Sequence, residues 1–471
     1  MDEYTGFVSI PDVSIDSANI PLNTAFIQKM MEQRGIKSEL LHGTTAGVNA
    51  AVYGEIKVAG AKRTVAFYAH YDGQPVNAKQ WASGLQPFKP VFITNPVEHG
   101  GTIVDYKQGQ PVNDDWRLTG RASADDKAGV MTILNAYDAL KKSGVSLVNN
   151  IKFFFEGEEE QGSTHLHEIL NKYKLQLRSD CWIICDGPVH QSGYKQIVFG
   201  ARGDAHLTLK VFGPKNPLHS GHYGNWVPNP VMELSKLLAS MKDDKGRVTV
   251  KGFYDDVVPL TEAERQALAN LPDVEKELKK KIGFVKEEMS GKSLMESINL
   301  PSLNINGIES SNVGTIQANV IPMYATAVID LRLVLGNDWK KQQQKVIDHI
   351  IEQGFYVTEN EPTGEERNKY AKIIQVRRGE GNKAERTSMN LPVAKSIVAA
   401  VQQTVKDPVL QIPTLGGSLP LEDLVNVLNA KFLIVPIANF DNNQHAENEN
   451  IRIRNFRDGI DMMAAIMLMK W

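Results

Sequence analysis

The stretch RTVAFYAHYDGQP, residues 63–75, holds an apolar run that stops at His70, with Asp72 two residues further on. Three other apolar runs also end in polar residues: NNIKFFF before EGEEE, DCWIIC before Asp186, and KFLIVPIANFDNNQ before His445. Helical patterns such as AGVMTILNAYDALKKSG and STHLHEILNKY lie between the runs. Strands that alternate with helices predict an α/β fold with a mostly parallel sheet covered on both faces. Ligands of such sheets bind beyond the carboxyl ends of the strands, where all four polar clusters fall.

Length and composition narrow the class of protein. The 471 residues exceed what one hydrophobic core usually serves, which predicts at least two domains. Hydrophobic residues make up 42% of the chain and charged residues 23%, as in ordinary globular proteins, and the net charge is -3. Such a balance argues against nucleic acid as a partner and favours a small substrate.

The sequence also bears on the surroundings of the protein. No run of about 18 apolar residues occurs, so we expect no membrane association. A soluble chain is predicted, with the cytoplasm favoured and the periplasm as the alternative if a signal peptide was removed. Cys181 and Cys185 lie in one predicted strand, which would place their Cα atoms about 13 Å apart. This distance is too long for a disulfide between them. Buried structural thiols are therefore expected, with Asp186 as the better ligand nearby.

The middle of the chain follows a different order of elements. Between 203 and 386 we predict a strand at DAHLTLKVFG, a helix at PNPVMELSKLLASM, strands at SLNIN and NVIPMYATAVIDLRLV, a helix at DWKKQQQKVIDHIIEQG and a strand at YAKIIQVRR. This βαββαβ order is typical of a ferredoxin-like α+β domain. The sequence thus predicts a split domain, 1–202 with 387–471, around an inserted domain at 203–386. The highly charged stretch 255–298 is expected to form solvated helices within the insert.

The polar clusters together favour a metal site. Each cluster alone has an ordinary explanation, such as a helix N-cap or a solvated helix start. However, these ordinary explanations would have to coincide at four strand ends and at the Asp-rich loop GRASADDKAG, residues 120–129, which is improbable. Imidazole and carboxylate ligands suit zinc or manganese, and a shared carboxylate can hold two ions about 3.5 to 4 Å apart. A glutamate outside the ligand set would then accept a proton from water.

Several motifs occur in an order that resembles a known family. They are HYD at 70–72, GRASADDKAG, EGEEEQGS, CDG at 185–187, LHSGHYGN at 218–225 and QHAENE at 444–449. This series is similar to the two-zinc exopeptidases, which include carnosine dipeptidase, glutamate carboxypeptidase, aminoacylase and succinyl-diaminopimelate desuccinylase. The match spans almost the whole chain and is closest to the dipeptidase-like members. The resemblance implies a zinc-exopeptidase domain at 1–202 and 387–471, and a lid at 203–386 through which two chains form a homodimer.

The resemblance also implies the roles of individual residues at the metal centre. Two divalent ions are expected, with zinc favoured and manganese or cobalt as alternatives. The implied ligands are His70 and Asp186 for one ion, Glu160 and His445 for the other, and Asp125 as the bridge. Asp72 would orient His70, and Glu159 would be the general base. If the register of EGEEE were shifted by one residue, the roles of base and ligand would move from Glu159 and Glu160 to their neighbours. The resemblance further implies a cis peptide after Asp125.

The same resemblance points to residues that contact the substrate. His219 would reach the substrate in the partner subunit's site, where it would act in catalysis. Asn319 in ANVIP and Arg332 in DLRLV would bind a carbonyl and a carboxylate of the substrate. The loop GGSLP is similar to a substrate-binding loop of the family and contributes Gly416, Gly417 and Ser418.

We therefore expect a metal-dependent enzyme that cleaves the amide bond of dipeptides or short peptides with a metal-bridging hydroxide and a glutamate base. Aspartate at position 186 is typical of the dipeptidases and aminopeptidases of the family, whereas glutamate is common in its deacylases and carboxypeptidases. An N-acyl amino acid deacylase is thus the second hypothesis. A binding protein without catalysis is the third, and it is disfavoured because each expected ligand and the base are present.

Overall fold

The computed structural model describes residues 1–16 and 18–471. Its strands, in chain order, are β1 (Ser38–Leu41), β2 (Ala51–Ile56), β3 (Thr64–His70), β4 (Phe92–Ile93), β5 (Arg117–Thr119), β6 (Asn150–Glu156), β7 (Cys181–Ile184), β8 (Gln196–Val198), β9 (Gly200–Ala201), β10 (Gly203–Phe212), β11 (Leu218–His219), β12 (Ser302–Glu309), β13 (Val320–Ile321), β14 (Tyr324–Leu333), β15 (Tyr356–Thr358), β16 (Ile373–Asn382), β17 (Glu385–Arg386), β18 (Leu410–Ile412), β19 (Phe432–Ile434) and β20 (Asn450–Arg452).

Its α-helices are α1 (Asp2–Val8), α2 (Ile20–Gln33), α3 (Lys127–Lys142), α4 (Leu166–Lys172), α5 (Lys174–Leu177), α6 (Ser220–Tyr223), α7 (Pro230–Ala239), α8 (Glu262–Ala269), α9 (Glu275–Ile282), α10 (Leu294–Ile298), α11 (Trp339–Glu352), α12 (Gly364–Lys369), α13 (Pro392–Gln402), α14 (Leu421–Leu428) and α15 (Ile453–Leu468). Among the described residues, none of these helices has both the length and the apolar content needed to cross a bilayer.

The larger sheet has the strand order β1-β2-β6-β3-β7-β19-β8-β18. Its central strands β6, β3, β7 and β19 run parallel to one another. Alternate residues of β3 enter two separate cores, since Val65, Phe67 and Ala69 pack on one face and Ala66 and Tyr68 on the other. Burial of both faces explains the nearly continuous apolar runs in the sequence. The predicted mostly parallel α/β sheet is confirmed.

A second sheet is formed by residues 203–382, with the order β12-β14-β10-β16-β15. Along β10, buried residues alternate with half-buried ones, as expected for a strand with one covered face. The side chains of α7 and α11 pack against that face. The elements β10, α7, β12, β14, α11 and β16 follow the predicted ferredoxin-like order, and β15 adds a parallel strand at the edge. The domain limits at 202 and 387 stay a prediction.

The charged stretch 255–298 folds into α8, α9 and α10, as the sequence indicates. Most of α9 is exposed or half-buried, in agreement with a solvated helix. However, Met295 on α10 packs against the apolar core of the larger sheet. The end of this charged stretch is therefore in contact with the rest of the protein, which charge alone did not indicate. Cys181 and Cys185 are both buried free thiols, as expected.

Candidate metal centre

The carboxyl ends of the parallel strands bring together side chains from distant parts of the chain. His70 is the last residue of β3, and Asp186 follows β7 by two residues. Glu159 and Glu160 begin a 3₁₀ turn, Glu159–Gln161, just after β6. Because β6, β3 and β7 are parallel neighbours, their carboxyl ends meet at one edge of the sheet. The structure thus gathers these side chains at the edge where the sequence predicts the site.

Two groups of potential metal ligands share one carboxylate. His70, Asp125 and Asp186 form the first group, and Asp125, Glu160 and His445 form the second; the ligand atoms of each group lie within 4.8 Å of one another. Asp125 Oδ1 lies 3.0 Å from His70 Nε2, and Asp125 Oδ2 lies 3.2 Å from His445 Nε2. The two oxygens of one side chain therefore face the two groups. The five side chains that the sequence singled out as ligands are gathered at this place.

The charges of the site fit divalent cations. Burial raises the pKa of Asp186 to about 7, and the nearby charge of Asp125 adds to this rise. Burial also raises the pKa of Glu159, with Asp186 and Glu160 acting in the same direction and His70 opposing them. Such shifts mean that the charged carboxylates are poorly compensated by the protein alone. Imidazole and carboxylate donors of this kind, crowded with uncompensated charge, suit zinc or manganese.

Neighbouring carboxylates favour the charged forms of the two histidines. Hydrogen bonds with Asp125 and Glu160 raise the pKa of His445 to about 10. Burial disfavours the charged form of His70, but its contacts with Asp125 and Asp72 prevail and raise its pKa. Burial likewise opposes ionisation of Asp125, yet hydrogen bonds from His445 and His70 hold its pKa below the usual range. The two histidines thus favour the anionic form of Asp125.

Asp72 links His70 to the glutamate turn. Its Oδ1 lies 3.3 Å from His70 Nδ1, on the side of the ring opposite Asp125, and its backbone oxygen lies 3.1 Å from the same nitrogen. The Asp72 carboxylate also accepts hydrogen bonds from the backbone N–H groups of Glu159, at 3.2 Å, and Glu160, at 3.1 Å. One buried side chain therefore orients both an imidazole and the turn that presents the two glutamates.

Glu449, which sequence reasoning did not single out, supports the loop that carries Asp125. Its buried carboxylate accepts hydrogen bonds from the backbone N–H groups of Ala122, Ala124 and Asp125 at 2.9 to 3.1 Å. It also accepts a 2.7 Å bond from Arg121. The peptide bond after Asp125 is cis, as the resemblance implied. Glu449 is the last residue of the motif QHAENE, which also contains His445. Its place in that motif is the sequence signal that could have revealed its role.

The N-terminal segment forms a second support that the sequence did not reveal. Lys127 Nζ lies 2.9 Å from Asp12 Oδ2, and both side chains are fully buried. The same ammonium group donates to the backbone oxygens of Phe7 and Ile10. The backbone oxygen of Asp12 accepts a 2.9 Å hydrogen bond from the N–H of Gly73. These contacts tie residues 7–12 to both the Asp125 loop and the segment after His70.

A cavity of about 520 Å³ lies beside the donor groups and is lined by Asp125, Glu159, Asp186 and His445. Arg332 and the loop residues Gly416, Gly417 and Ser418 line another part of its wall. Arg332 Nη1 donates to Ser418 Oγ at 3.1 Å, and Arg332 Nε donates to Asp330 Oδ2 at 3.1 Å. The structure therefore brings these predicted substrate residues to the same cavity as three of the potential metal ligands.

His219 and Asn319 lie elsewhere within the chain. The short strands β11 and β13 pair with each other, so that His219 is opposite Val320. The backbone oxygen of Asn319 accepts a 2.9 Å hydrogen bond from Ser220. Both residues are exposed, and neither is among those lining the cavity. The chain alone thus does not bring these two predicted residues to its own site.

The fold and this site define a metal-dependent hydrolase, with donor groups for two metal ions at the edge of an α/β sheet. The model of the family described as "Peptidase family M20/M25/M40" matches residues 66–469, and the chain belongs to this family. The protein is an enzyme of the metallopeptidase class.

Two relatives and one solved structure illustrate the similarity. The Cys-Gly metallodipeptidase DUG1 of Saccharomyces cerevisiae is 27% identical over 413 residues, which cover 86% of this chain and 79% of the relative. The human Beta-Ala-His dipeptidase is 27% identical over 453 residues, which cover 91% of this chain and 79% of the relative. The M20 family metallo-carboxypeptidase Sso-CP2 of Sulfolobus solfataricus has a TM-score of 0.79 and 27% identity, covering 98% of this chain and 97% of its own.

Proposed function

We propose that the protein hydrolyses the amide bond of dipeptides or other short peptides at this site. The observation that carries the proposal is that two donor groups share Asp125, which lines the same cavity as Glu159. The names of the two dipeptidase relatives support dipeptides as the substrate class. The 520 Å³ cavity is also of a size that suits a small molecule rather than a folded protein.

Two divalent ions, with zinc favoured and manganese or cobalt as alternatives, would be held by the shared carboxylate and its neighbours. His70 and Asp186 would bind one ion, Glu160 and His445 the other, and Asp125 both. When bound, the ions would polarise the scissile carbonyl and lower the pKa of a nearby water. Asp72 would hold the His70 ring in the orientation that directs Nε2 toward Asp125.

Glu159 is proposed as the group that moves protons. Its Oε2 lies 3.9 Å from His70 Nε2, and the side chain lines the cavity. The carboxylate would accept a proton from the attacking water and deliver it to the amine nitrogen that leaves. Burial, which raises the pKa of Glu159, favours retention of that proton between the two steps.

Arg332 is proposed to bind the carboxylate of the substrate. Its guanidinium can form two parallel hydrogen bonds with a carboxylate, and Asp330 fixes its direction. Ser418, which contacts Arg332, and the backbone of Gly416 and Gly417 would contact the same end of the substrate.

A homodimer is proposed to complete the site. His219 of one chain would stabilise the developing oxyanion over the partner's donor groups, and Asn319 would contact the substrate carbonyl. The exposure of both residues, away from the chain's own cavity, supports this arrangement. The strand β12 lies at the edge of the second sheet and exposes Ile305 and Ile308, which suits an interface.

The test is a panel of dipeptides and N-acyl amino acids, assayed after reconstitution with zinc, manganese or cobalt. We expect turnover of dipeptides, about two ions per chain by elemental analysis, and loss of activity on treatment with a chelator. Preferred hydrolysis of N-acyl amino acids would instead establish the deacylase hypothesis. Full activity in a metal-free preparation would exclude both.

A further inference from the structure

A second cavity, of about 870 Å³, adjoins the cavity at the donor groups. Four residues line both: His190 and Gln191, which follow Asp186 closely in the chain, and Leu294 and Met295 of α10. The boundary between the two cavities, here called the passage, therefore lies between α10 and the segment after β7. A second volume thus lies directly beside the cavity of the proposed site.

The wall of the second cavity is largely apolar. Val258, Leu260, Leu268, Leu271 and Pro272 contribute to it, and all belong to the charged stretch that the sequence predicted to be solvated. Each charged side chain at the wall has a polar or charged partner. Asp273 accepts a hydrogen bond from the N–H of Glu275 at 3.1 Å, and Glu275 accepts one from the N–H of Leu294 at 2.7 Å. Arg265 Nη2 lies 2.8 Å from Glu262 Oε2, and Lys292 Nζ lies 3.2 Å from Glu296 Oε1. The cavity is therefore suited to an apolar group rather than to a charged one.

The position of α10 is fixed at both ends. The Leu294 N–H donates to Glu275 Oε1 at 2.7 Å at its start. Just past its end, Thr414 Oγ1 donates to Asn299 Oδ1 at 2.9 Å, and Arg202 donates to the Leu300 carbonyl at 2.8 Å. The helix is thus attached to the segment just before the substrate loop and forms a defined wall.

The direction of α10 relates the two cavities to the ends of a substrate. A Cβ added at Gly416 would lie 3.5 Å from Ile298 Cδ1, so the end of α10 is next to the loop that also carries Ser418. Ser418 in turn contacts Arg332. Leu294 and Met295, about one helical turn earlier, border the second cavity. The helix therefore runs from the proposed carboxylate position toward the passage.

We propose that α10 and the second cavity form a side-chain subsite for a large apolar N-terminal residue of the substrate. This inference rests on the proposed function, in which Arg332 holds the carboxylate at the other end. The side chain of the N-terminal residue then lies along Met295, passes Gln191 and Leu294, and enters the apolar volume beyond them. Dipeptides with long apolar N-terminal side chains are the preferred substrates.

The first test compares kcat/KM of the metal-loaded enzyme for Ala-Gly, Leu-Gly, Phe-Gly and biphenylalanyl-Gly. We expect kcat/KM to rise along this series by at least about tenfold, because one added methylene in an apolar pocket already changes it by about tenfold or more. A flat or falling series, with Ala-Gly still cleaved, would overturn the subsite and leave the proposed function standing. Absence of cleavage for all four would overturn the proposed function itself.

The second test narrows the passage from either side with Leu294→Trp or Gln191→Trp. Each change should lower the ratio of kcat/KM for biphenylalanyl-Gly to that for Ala-Gly by about tenfold. Leu175→Trp is the matched control, because Leu175 lies on α5 and is 88% exposed. It should leave the ratio unchanged. Thermal melting verifies folding, and a ratio that is unchanged in a folded variant of either passage residue would contradict the proposal.

Discussion

At the scale of single residues, two adjacent glutamates have different surroundings. Glu160 Oε2 lies 3.1 Å from His445 Nε2 and accepts a 2.9 Å hydrogen bond from Gln74. Glu159 Oε2 instead lies 3.9 Å from His70 Nε2 and belongs to neither donor group. The two roles proposed for this pair are therefore separable by experiment.

We predict that Glu159→Gln lowers kcat by about 10²- to 10⁴-fold while metal content stays near that of the unchanged protein, because proton transfer is lost and the ligands are not. Glu160→Gln should lower the metal content of one site. Elemental analysis and steady-state kinetics on the same preparations measure both effects.

Glu32→Gln, on an exposed part of α2, is the control and should change neither quantity. If Glu159→Gln loses metal and Glu160→Gln keeps it, the roles are exchanged and the register of EGEEE is shifted by one residue.

At the scale of elements, the loop before α3 depends on a carboxylate from the far end of the chain. Three backbone N–H groups of residues 122–125 donate to Glu449. A glutamine at this position would have one oxygen and one NH₂ group, so that its NH₂ group would face backbone N–H groups that are themselves donors. We predict that Glu449→Gln lowers the free energy of unfolding by about 1 to 3 kcal/mol and weakens metal retention.

Denaturant unfolding and metal analysis test this prediction. Glu447→Gln is the matched control, since Glu447 is two residues away and exposed. Equal stability and metal content in the two variants would mean that the loop holds its shape without Glu449.

The segment between β19 and His445 is held by a pair of hydrogen bonds from β5. Arg117 Nη1 and Nη2 donate to the two carboxylate oxygens of Asp441 at 3.0 and 2.8 Å. Burial works against the charged form of Asp441, but these bonds outweigh it and lower its pKa to about 2. Because the pKa of Asp441 is lower in the folded state, its charged form stabilises the fold at pH values above the ordinary Asp pKa of about 4. This contribution is lost as the pH falls toward about 2.

We predict that Asp441→Asn lowers the urea midpoint of the metal-free protein at pH 7, and that the difference from the unchanged protein shrinks between about pH 4 and pH 2. Asp115→Asn removes a more exposed contact, 3.4 Å from Arg454, and should change the midpoint little at any pH. A difference that is constant with pH would show that the Asp441 charge is not its source.

At the scale of the whole molecule, the positions of His219 and Asn319 bear on the proposed homodimer. Both are exposed and lie outside the wall of their own chain's cavity. His219→Ala and Glu159→Gln homodimers should each be nearly inactive, since loss of an oxyanion donor costs about 10²- to 10³-fold. In the proposed heterodimer, however, the His219→Ala chain keeps an intact Glu159 and would receive the histidine of its partner.

We predict that purified heterodimers with two different tags recover about half of the activity of the unchanged dimer, provided that the two sites act independently. Size exclusion and recovery of both tags verify pairing. No recovery in verified heterodimers would mean that His219 serves its own chain's site or none, and a monomer in solution would remove the basis of the proposal.

The sequence by itself determined the central strands and their polar ends. Continuous apolar runs indicate strands buried on both faces, and parallel strands place their carboxyl ends at one edge, so that His70, Glu159, Glu160 and Asp186 were expected together. The order of elements in 203–386 was equally readable, because helix and strand periodicity are local properties of the chain. Each of these inferences needs only neighbouring residues or a general rule of sheet topology.

Only the tertiary structure decided how distant segments support and enclose the site. Glu449 holds the Asp125 loop across more than 300 positions, and Asp12 pairs with Lys127. The helix α10, within a stretch whose charge indicates solvent, forms a wall of the cavity. Such contacts leave no periodic signal, because they depend on how the chain packs after its local elements have formed.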